Sequence, residues 1–240
     1  SLTLFVPSPV RSCSSGRYLQ ALTTETIKDI QMKNLTIILF LFSTIINAQE
    51  FKRLPSESAV DFVKRNIPKS ETTALEVSGN VLETKFWDNK TETIICFYIG
   101  ADINNNKINH YYLSGYIYIP TKPNVYKRVI INDTDLPYLN EPIKVESIFF
   151  ANCDRNDTNK ELGILFSHKI DDDSEAEGTY YFTHFYDNIN FNSPPKKLTE
   201  ITTFKEIFYE LEGRFDDGNF KTAKFKTASE IKNALKCLGY

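Results

Sequence analysis

An oxygen-rich loop in the stretch FFANCDRNDTNKELGILFS, residues 149–167, is the part of the sequence best equipped for chemistry. An apolar run ends there, a polar loop follows, and Glu161 opens the next apolar run. Hard cations such as Ca²⁺ take about six to eight oxygen ligands, and tight loops rich in Asp and Asn supply them. The predicted metal ligands of this loop are Asn152, Asp154, Asn156, Asp157 and Glu161. The alternative is a polar connector between two strands that binds no metal.

Residues 149–187 resemble one calcium loop of the FG-GAP type, the repeat of integrin-like propellers, in which alternating acids precede a Leu and a strand. The resemblance implies that Asn152, Asp154 and Asn156 are the first ligands and that Glu161 is the last. It also implies that the later stretch GTYYFTHFYD is the companion strand. A propeller needs several copies of such a repeat, and the chain carries one. The resemblance therefore implies a single calcium-stabilised loop.

A row of tyrosines in the stretch HYYLSGYIYIP is the second candidate site. Successive side chains of a strand point to opposite faces of the sheet, so Tyr112, Tyr116 and Tyr118 share one face and apolar residues share the other. This alternation is typical of an antiparallel sheet with one face buried and one face in water. Because Tyr is enriched in recognition surfaces, we predict that Tyr112, Tyr116 and Tyr118 bind a partner. The alternative is ordinary packing within the sheet.

Other site chemistries have little support in the sequence. The acidic stretch DDDSEAE at 171–177 is typical of a solvated turn. The histidines His110, His168 and His184 have no carboxylate or Cys at a spacing that defines a catalytic group. Neither the G-x-S-x-G elbow of hydrolases nor a phosphate-binding glycine motif is present. Enzyme activity is therefore left uncertain, with a non-catalytic role favoured.

The elements that must position these residues indicate a sheet-rich fold. Hydrophobic periodicity and turn residues predict a helix over 56–66 capped by Ser56, strand structure from 75, hairpins near 92–119 and 161–187, strands at 126–133 and 143–151, a helix over 201–211 ending at Gly213, a small hairpin around Asp217-Gly218, and a last helix after Thr227. We therefore expect the α+β class, with a central antiparallel sheet flanked by an N-terminal helix and C-terminal helices.

The stretch MKNLTIILFLFSTIINAQ, residues 32–49, has the layout of a secretory signal peptide. A basic start, an apolar run and a small residue before the cleavage point are its parts. The apolar run is shorter than the roughly 20 residues that a membrane span needs. We expect residues 1–31 to be upstream sequence foreign to the protein, 32–48 to be the signal peptide, and 49–240 to be one exported domain, periplasmic or secreted from a bacterium.

Composition limits the partners that such a domain would have. With 28 basic and 31 acidic residues and no stripe of Lys or Arg, the chain is not expected to bind nucleic acid. Cys96 lies in an apolar run and is expected to be a buried thiol, and Cys153–Cys237 is the pair expected for any disulfide in an oxidising compartment. No cofactor is predicted apart from Ca²⁺. We predict an exported, non-catalytic binding protein with a protein, peptide or glycan partner. A secreted hydrolase and a calcium-stabilised structural domain are the alternatives.

Overall fold

The structure, a computed structural model, describes residues 49–69, 75–87, 91–104, 107–135, 143–154, 160–172, 176–215 and 218–240. These residues belong to one unit of the chain, Gln49–Tyr240. The predicted upstream segment and signal peptide, residues 1–48, lie outside the described residues.

Antiparallel strands make up most of the described chain. The strands are β1 (Glu50–Lys52), β2 (Leu75–Thr84), β3 (Thr93–Asn104), β4 (Lys107–Lys122), β5 (Val125–Asp135), β6 (Lys144–Ala151), β7 (Glu161–Asp172), β8 (Ala176–Asp187), β9 (Thr199–Ile201), β10 (Tyr209–Phe215) and β11 (Phe220–Lys221). The helices are α1 (Ala59–Arg65) and α2 (Ala228–Cys237), with a 3₁₀ turn at Thr202–Phe204. No helix in the described residues is long and apolar enough to cross a membrane.

The strands form two sheets and the fold is mostly antiparallel β, so the predicted antiparallel pairing is confirmed, but the prediction of an α+β fold around one central sheet is wrong. The first sheet has the order β1-β5-β4-β3-β2, and the second has the order β11-β10-β8-β7-β6 with β9 paired to β8. Both predicted hairpins are present, as β3–β4 and β7–β8, and in the second His168 lies opposite Tyr180. Local pairing of this kind follows from the sequence, whereas the division into two sheets depends on which hairpins pack face to face.

The main core lies between the two sheets. It joins Ile95, Phe97 and Ile117 of the first sheet to Ile164 and Phe166 of the second. The rings of Phe97 and Phe166 meet edge to face, with 6.1 Å between their centroids. Two sheets that bury their inner faces against each other in this way form a sandwich.

Helix α1 covers the outer face of the first sheet. Its N-cap is Ser58, whose hydroxyl accepts the Asp61 backbone N–H at 3.1 Å, and Phe62 and Val63 are fully buried. The predicted helix is therefore confirmed, but its cap is two residues later than predicted. Ser56 has a positive φ of 61°, which places it in the turn before the helix.

Helix α2 covers the outer face of the second sheet, and this confirms the predicted last helix. Thr227 caps it by accepting the Glu230 backbone N–H at 3.3 Å, and Ile231 and Leu235 pack into a cluster beneath it. The helix ends with Cys237, an exposed free thiol.

The predicted Cys153–Cys237 disulfide is not formed, since both thiols are free. Cys153 is buried in the cluster beneath α2, whereas Cys237 is exposed at the end of that helix. The expectation that Cys96 is a buried thiol is confirmed. Burial raises its pKa to about 12, so the thiol stays protonated at neutral pH.

The predicted helix over 201–211 is wrong. This stretch forms the end of β9, the 3₁₀ turn and the start of β10, and Tyr209–Phe215 pairs with β8 along its whole length. Phe204 and Phe208 are nonetheless buried together, as their helical spacing suggested. Sheet pairing with β8 overrides the local helical pattern, because propensity is a weaker constraint than tertiary structure.

The segment before β9 connects the two sheets. The Leu198 backbone N–H donates to the Ile130 carbonyl of β5 at 2.8 Å, and Lys127 donates through Nζ to the Pro194 carbonyl at 2.6 Å. The chain then enters β9 and pairs with β8. One short segment therefore bonds to both sheets.

Candidate functional site

An open groove lies at the β10–β11 end of the second sheet. It has a volume of about 490 Å³, which lies in the range of known ligand sites. We call it the tyrosine groove, and its lining residues are Tyr180, Tyr209, Glu210, Leu211, Phe215, Lys221, Thr222 and Lys224.

Two opposed glycines allow the strands beneath the tyrosine groove to approach closely. Gly178 of β8 lies opposite Gly213 of β10, which in turn lies opposite Lys221 of β11. A Cβ added to Gly213 would lie 2.1 Å from the Glu177 carbonyl oxygen and 2.7 Å from the Gly178 Cα. Side chains are therefore excluded at this pair, and the prediction of Gly213 as a helix cap is replaced by this packing role. The predicted turn is confirmed, with Gly218 at a positive φ of 76°.

Aromatic rings form one wall of the groove. Tyr180 and Tyr209 lie 5.1 Å apart between ring centroids and are inclined by 33°. Tyr209 has 48% of its surface exposed, although its ring also contacts Phe182. Partial burial raises the pKa of the Tyr209 hydroxyl, with Tyr180 and Glu206 adding to the rise. The hydroxyl therefore stays protonated at neutral pH and can donate a hydrogen bond.

Two lysines contribute positive charge to the groove. Lys221 holds its ammonium group 4.5 Å from the centroid of the Phe215 ring. Within the described residues neither Lys221 nor Lys224 forms an ion pair, whereas nearby Lys226 is paired with Glu212 at 2.8 Å. Glu210 lines the groove and accepts the Lys224 backbone N–H at 2.5 Å. The groove therefore offers two ammonium groups to a ligand.

The predicted metal loop is described only in part. Asn156 and Asp157 lie outside the described residues, while Asn152 and Asp154 follow β6 and Glu161 begins β7. No group of three or more His, Cys, Asp or Glu residues in the described part of the chain is arranged to hold a metal.

Glu161 is nevertheless an unusual residue, because its carboxylate is buried with only 2% of the residue exposed. It accepts the Cys153 backbone N–H at 2.6 Å, which joins the two ends of the loop. Burial is the main cause that raises its pKa, and the nearby acids Asp154 and Asp187 add to the rise. This carboxyl group therefore anchors the loop, in surroundings that favour either a proton or a cation.

Helix α1 covers the tyrosine face of β4 at Tyr118, so this part of the face is not the wet surface that the alternation predicted. Tyr118 is fully buried, and its hydroxyl lies 3.1 Å from that of Tyr98. The Arg128 guanidinium lies over the Tyr116 ring at 4.9 Å. Tyr118 is thus unavailable to a partner. For Tyr112 and Tyr116, which keep part of their surface exposed, partner binding stays a prediction.

His168 and His184 lie on the paired strands β7 and β8. Nδ1 of His184 contacts the Glu200 carboxylate at 2.6 Å, and the ring lies among Phe166, Phe182 and Tyr186. Burial lowers the pKa of His168, whose ring packs on Tyr180. Neither histidine lines the tyrosine groove.

Sequence reasoning missed the tyrosine groove because it assigned Tyr209 to a helix. A signal was nevertheless present in the alternation of FYELEGRF, in which Tyr209, Leu211, Gly213 and Phe215 fall on one face of a strand. Comparisons with protein-family models, with curated proteins and with solved structures find no match for this chain.

Proposed function

We propose that the protein is an exported, non-catalytic binding protein that takes up an extended ligand in the tyrosine groove. The pair of half-buried Tyr180 and exposed Tyr209 is the observation that carries this proposal. Tyr offers a large, rigid surface with a polar end, and it is enriched where proteins recognise partners. Export is supported by the signal-like stretch at 32–48.

The binding test is calorimetric titration of the full chain with a panel of oligosaccharides and of acidic and basic peptides. A ligand of the groove should lose about fivefold or more in affinity in Tyr209→Ala, because a central aromatic contact is worth about 1 kcal/mol or more. Phe220→Ala is the matched control. Phe220 is 66% exposed on β11 but does not line the groove, so its replacement should leave the affinity unchanged.

Two results would contradict the binding role. One is a panel in which nothing binds. The other is a ligand whose affinity falls equally in Tyr209→Ala and Phe220→Ala, because it would use exposed aromatic surface without regard to the groove.

Export is tested separately by fractionating cells that express the chain from residue 32 onward. The proposal expects the protein in the periplasm or medium, with an N-terminus at Gln49 by mass spectrometry. Retention in the cytoplasm with residues 32–48 still attached would contradict it.

A calcium-stabilised structural domain is the second candidate, and the buried Glu161 favours it. A cation beside Glu161, Asp154 and Asp187 would offset the unfavourable burial of negative charge that raises the Glu161 pKa. In this candidate Asn152 and the loop residues Asn156 and Asp157 would supply further oxygens, in keeping with the FG-GAP resemblance.

Thermal unfolding with excess Ca²⁺ and with chelator tests this candidate. Ca²⁺ at about 100 times its Kd should stabilise the folded state by about 2.7 kcal/mol. The shift should vanish in Asp154→Ala and persist in Glu177→Gln, an exposed acid outside the loop. Identical melting curves with Ca²⁺ and chelator would leave the loop as a connector.

A further inference from the structure

The outer edge of β10 is only half occupied by β11. β10 pairs with β8 on one side, and the Thr183 backbone N–H donates to the Phe208 carbonyl at 3.1 Å. In an antiparallel ladder, alternate residues turn their N–H and C=O groups toward the same partner strand. Counting from Phe208, the even-numbered residues of β10 turn these groups toward β8 and the odd-numbered residues turn them outward.

Among the outward-turned residues, those nearest the turn are already bonded to the returning strand. Gly213 pairs with Lys221, and the Phe215 N–H donates to the Asn219 carbonyl at 3.0 Å. Tyr209 and Leu211 lie beyond the end of β11, and within the described residues their outward backbone groups have no strand partner. Both residues line the tyrosine groove. The groove is therefore bordered by a short strand edge that pairs with no other strand of the described residues.

An open edge is a template for a further strand, and the affinity of such strand addition comes from main-chain hydrogen bonds. Lys221 and Lys224, which form no ion pair with another described residue, line the groove together with Glu210 and favour a ligand that carries negative charge. A polar edge with aromatic and cationic side chains around it suits a peptide that alternates acidic and apolar residues, because alternate side chains of an added strand face the same side.

We propose that the ligand of the tyrosine groove is an extended acidic peptide segment of a protein partner, which pairs as a strand with β10 at Tyr209 and Leu211. This inference rests on the proposed binding function and names the chemical class of its ligand. Lys221 and Lys224 contact the acidic side chains, and Tyr209 packs against the peptide.

The test uses the full chain and the peptide acetyl-TEVEVET-amide, with two isomers that carry backbone N-methyl groups. One isomer is methylated on both Val residues, and the other on the first two Glu residues. N-methylation removes a backbone donor without changing charge. Since an added strand pairs along one of its edges, one isomer should bind about tenfold or more weakly and the other should bind like the parent peptide.

Equal affinities for the two isomers, whether both are kept or both are lost, would overturn strand addition. Tighter Tyr209-dependent binding of an oligosaccharide than of the peptide would also overturn this inference, yet it would leave the proposed binding function standing. A failure of every probe would instead contradict the binding function itself. The two proposals therefore fail by different results.

The charge requirement has its own control. Lys221→Gln should weaken binding of the acidic peptide several-fold at low salt, and the difference should shrink as salt screens the charges. Lys236→Gln removes an exposed ammonium group of α2 that does not line the groove. The affinity of this variant for the acidic peptide should therefore match that of the unmodified protein. Equal binding of acetyl-TKVKVKT-amide would overturn the acidic class.

Discussion

The last helix offers a sharp test of the packing, because the sequence places three apolar residues on one stripe and the structure treats them differently. Ile231 is fully buried and Leu235 is 2% exposed, whereas Leu238 is 45% exposed. Leu235 packs with Phe204 and Phe208 in the cluster beneath α2. Leu235→Ala should therefore destabilise the fold far more than Leu238→Ala does.

The magnitude follows from the burial. Truncation of a fully buried Leu to Ala costs about 2–5 kcal/mol, which includes the cavity that remains. For a half-exposed Leu the transfer contribution is about 1 kcal/mol. In a domain of this size, a loss of about 1 kcal/mol in the free energy of unfolding lowers the melting temperature by about 2–4 °C. Leu235→Ala should thus lower it by roughly 4–20 °C, and Leu238→Ala by only about 2–4 °C.

The assay is thermal and urea unfolding of both variants followed by circular dichroism, with the urea slopes compared to verify that the same surface unfolds. Deletion of 228–240 should be more damaging still, because it uncovers the aromatic cluster beneath the helix. Equal melting temperatures for the two Leu variants, or an unchanged melting temperature after the deletion, would refute the packing of α2 against the second sheet.

Three further predictions follow from buried groups. The pKa of His168 is lowered in the folded state, so the unfolded chain binds a proton at this residue more readily. The stability that His168 contributes is therefore complete above pH about 6.5 and is lost as the pH falls below it. Between pH 7.5 and pH 5 the melting temperature of His168→Gln should fall less than that of the unmodified protein, and equal falls would contradict this. Gly213→Ala should destabilise the protein by about 1–3 kcal/mol and weaken ligand binding at the tyrosine groove, because its Cβ would meet backbone atoms of β8; an unchanged melting temperature would show that the strands tolerate a side chain there. A thiol reagent should modify Cys237 in the folded protein and should reach Cys96 and Cys153 only after unfolding, and mass spectrometry with and without denaturant would detect any early reaction of the buried pair.

Features governed by local chemistry were predictable from the sequence. The β7–β8 hairpin, the turn at Gly218 and the cap at Thr227 all follow from alternation, from a glycine that permits positive φ, or from a hydroxyl that accepts a helical N–H. These features involve residues near one another in the chain, so their physics is contained in a short stretch of sequence.

The tertiary structure decided how those elements cover one another. The alternation of apolar and polar residues in β4 correctly assigns its side chains to two faces of the strand. Only the packing of α1 determines that Tyr118 is buried and not exposed to water. Pairing with β8 determines that 209–215 is a strand, and this strand then brings Tyr209, Lys221 and Lys224 to one groove. The physical reason is that burial and strand pairing depend on residues far apart in the chain, so no local pattern specifies which layer or which edge a given side chain meets.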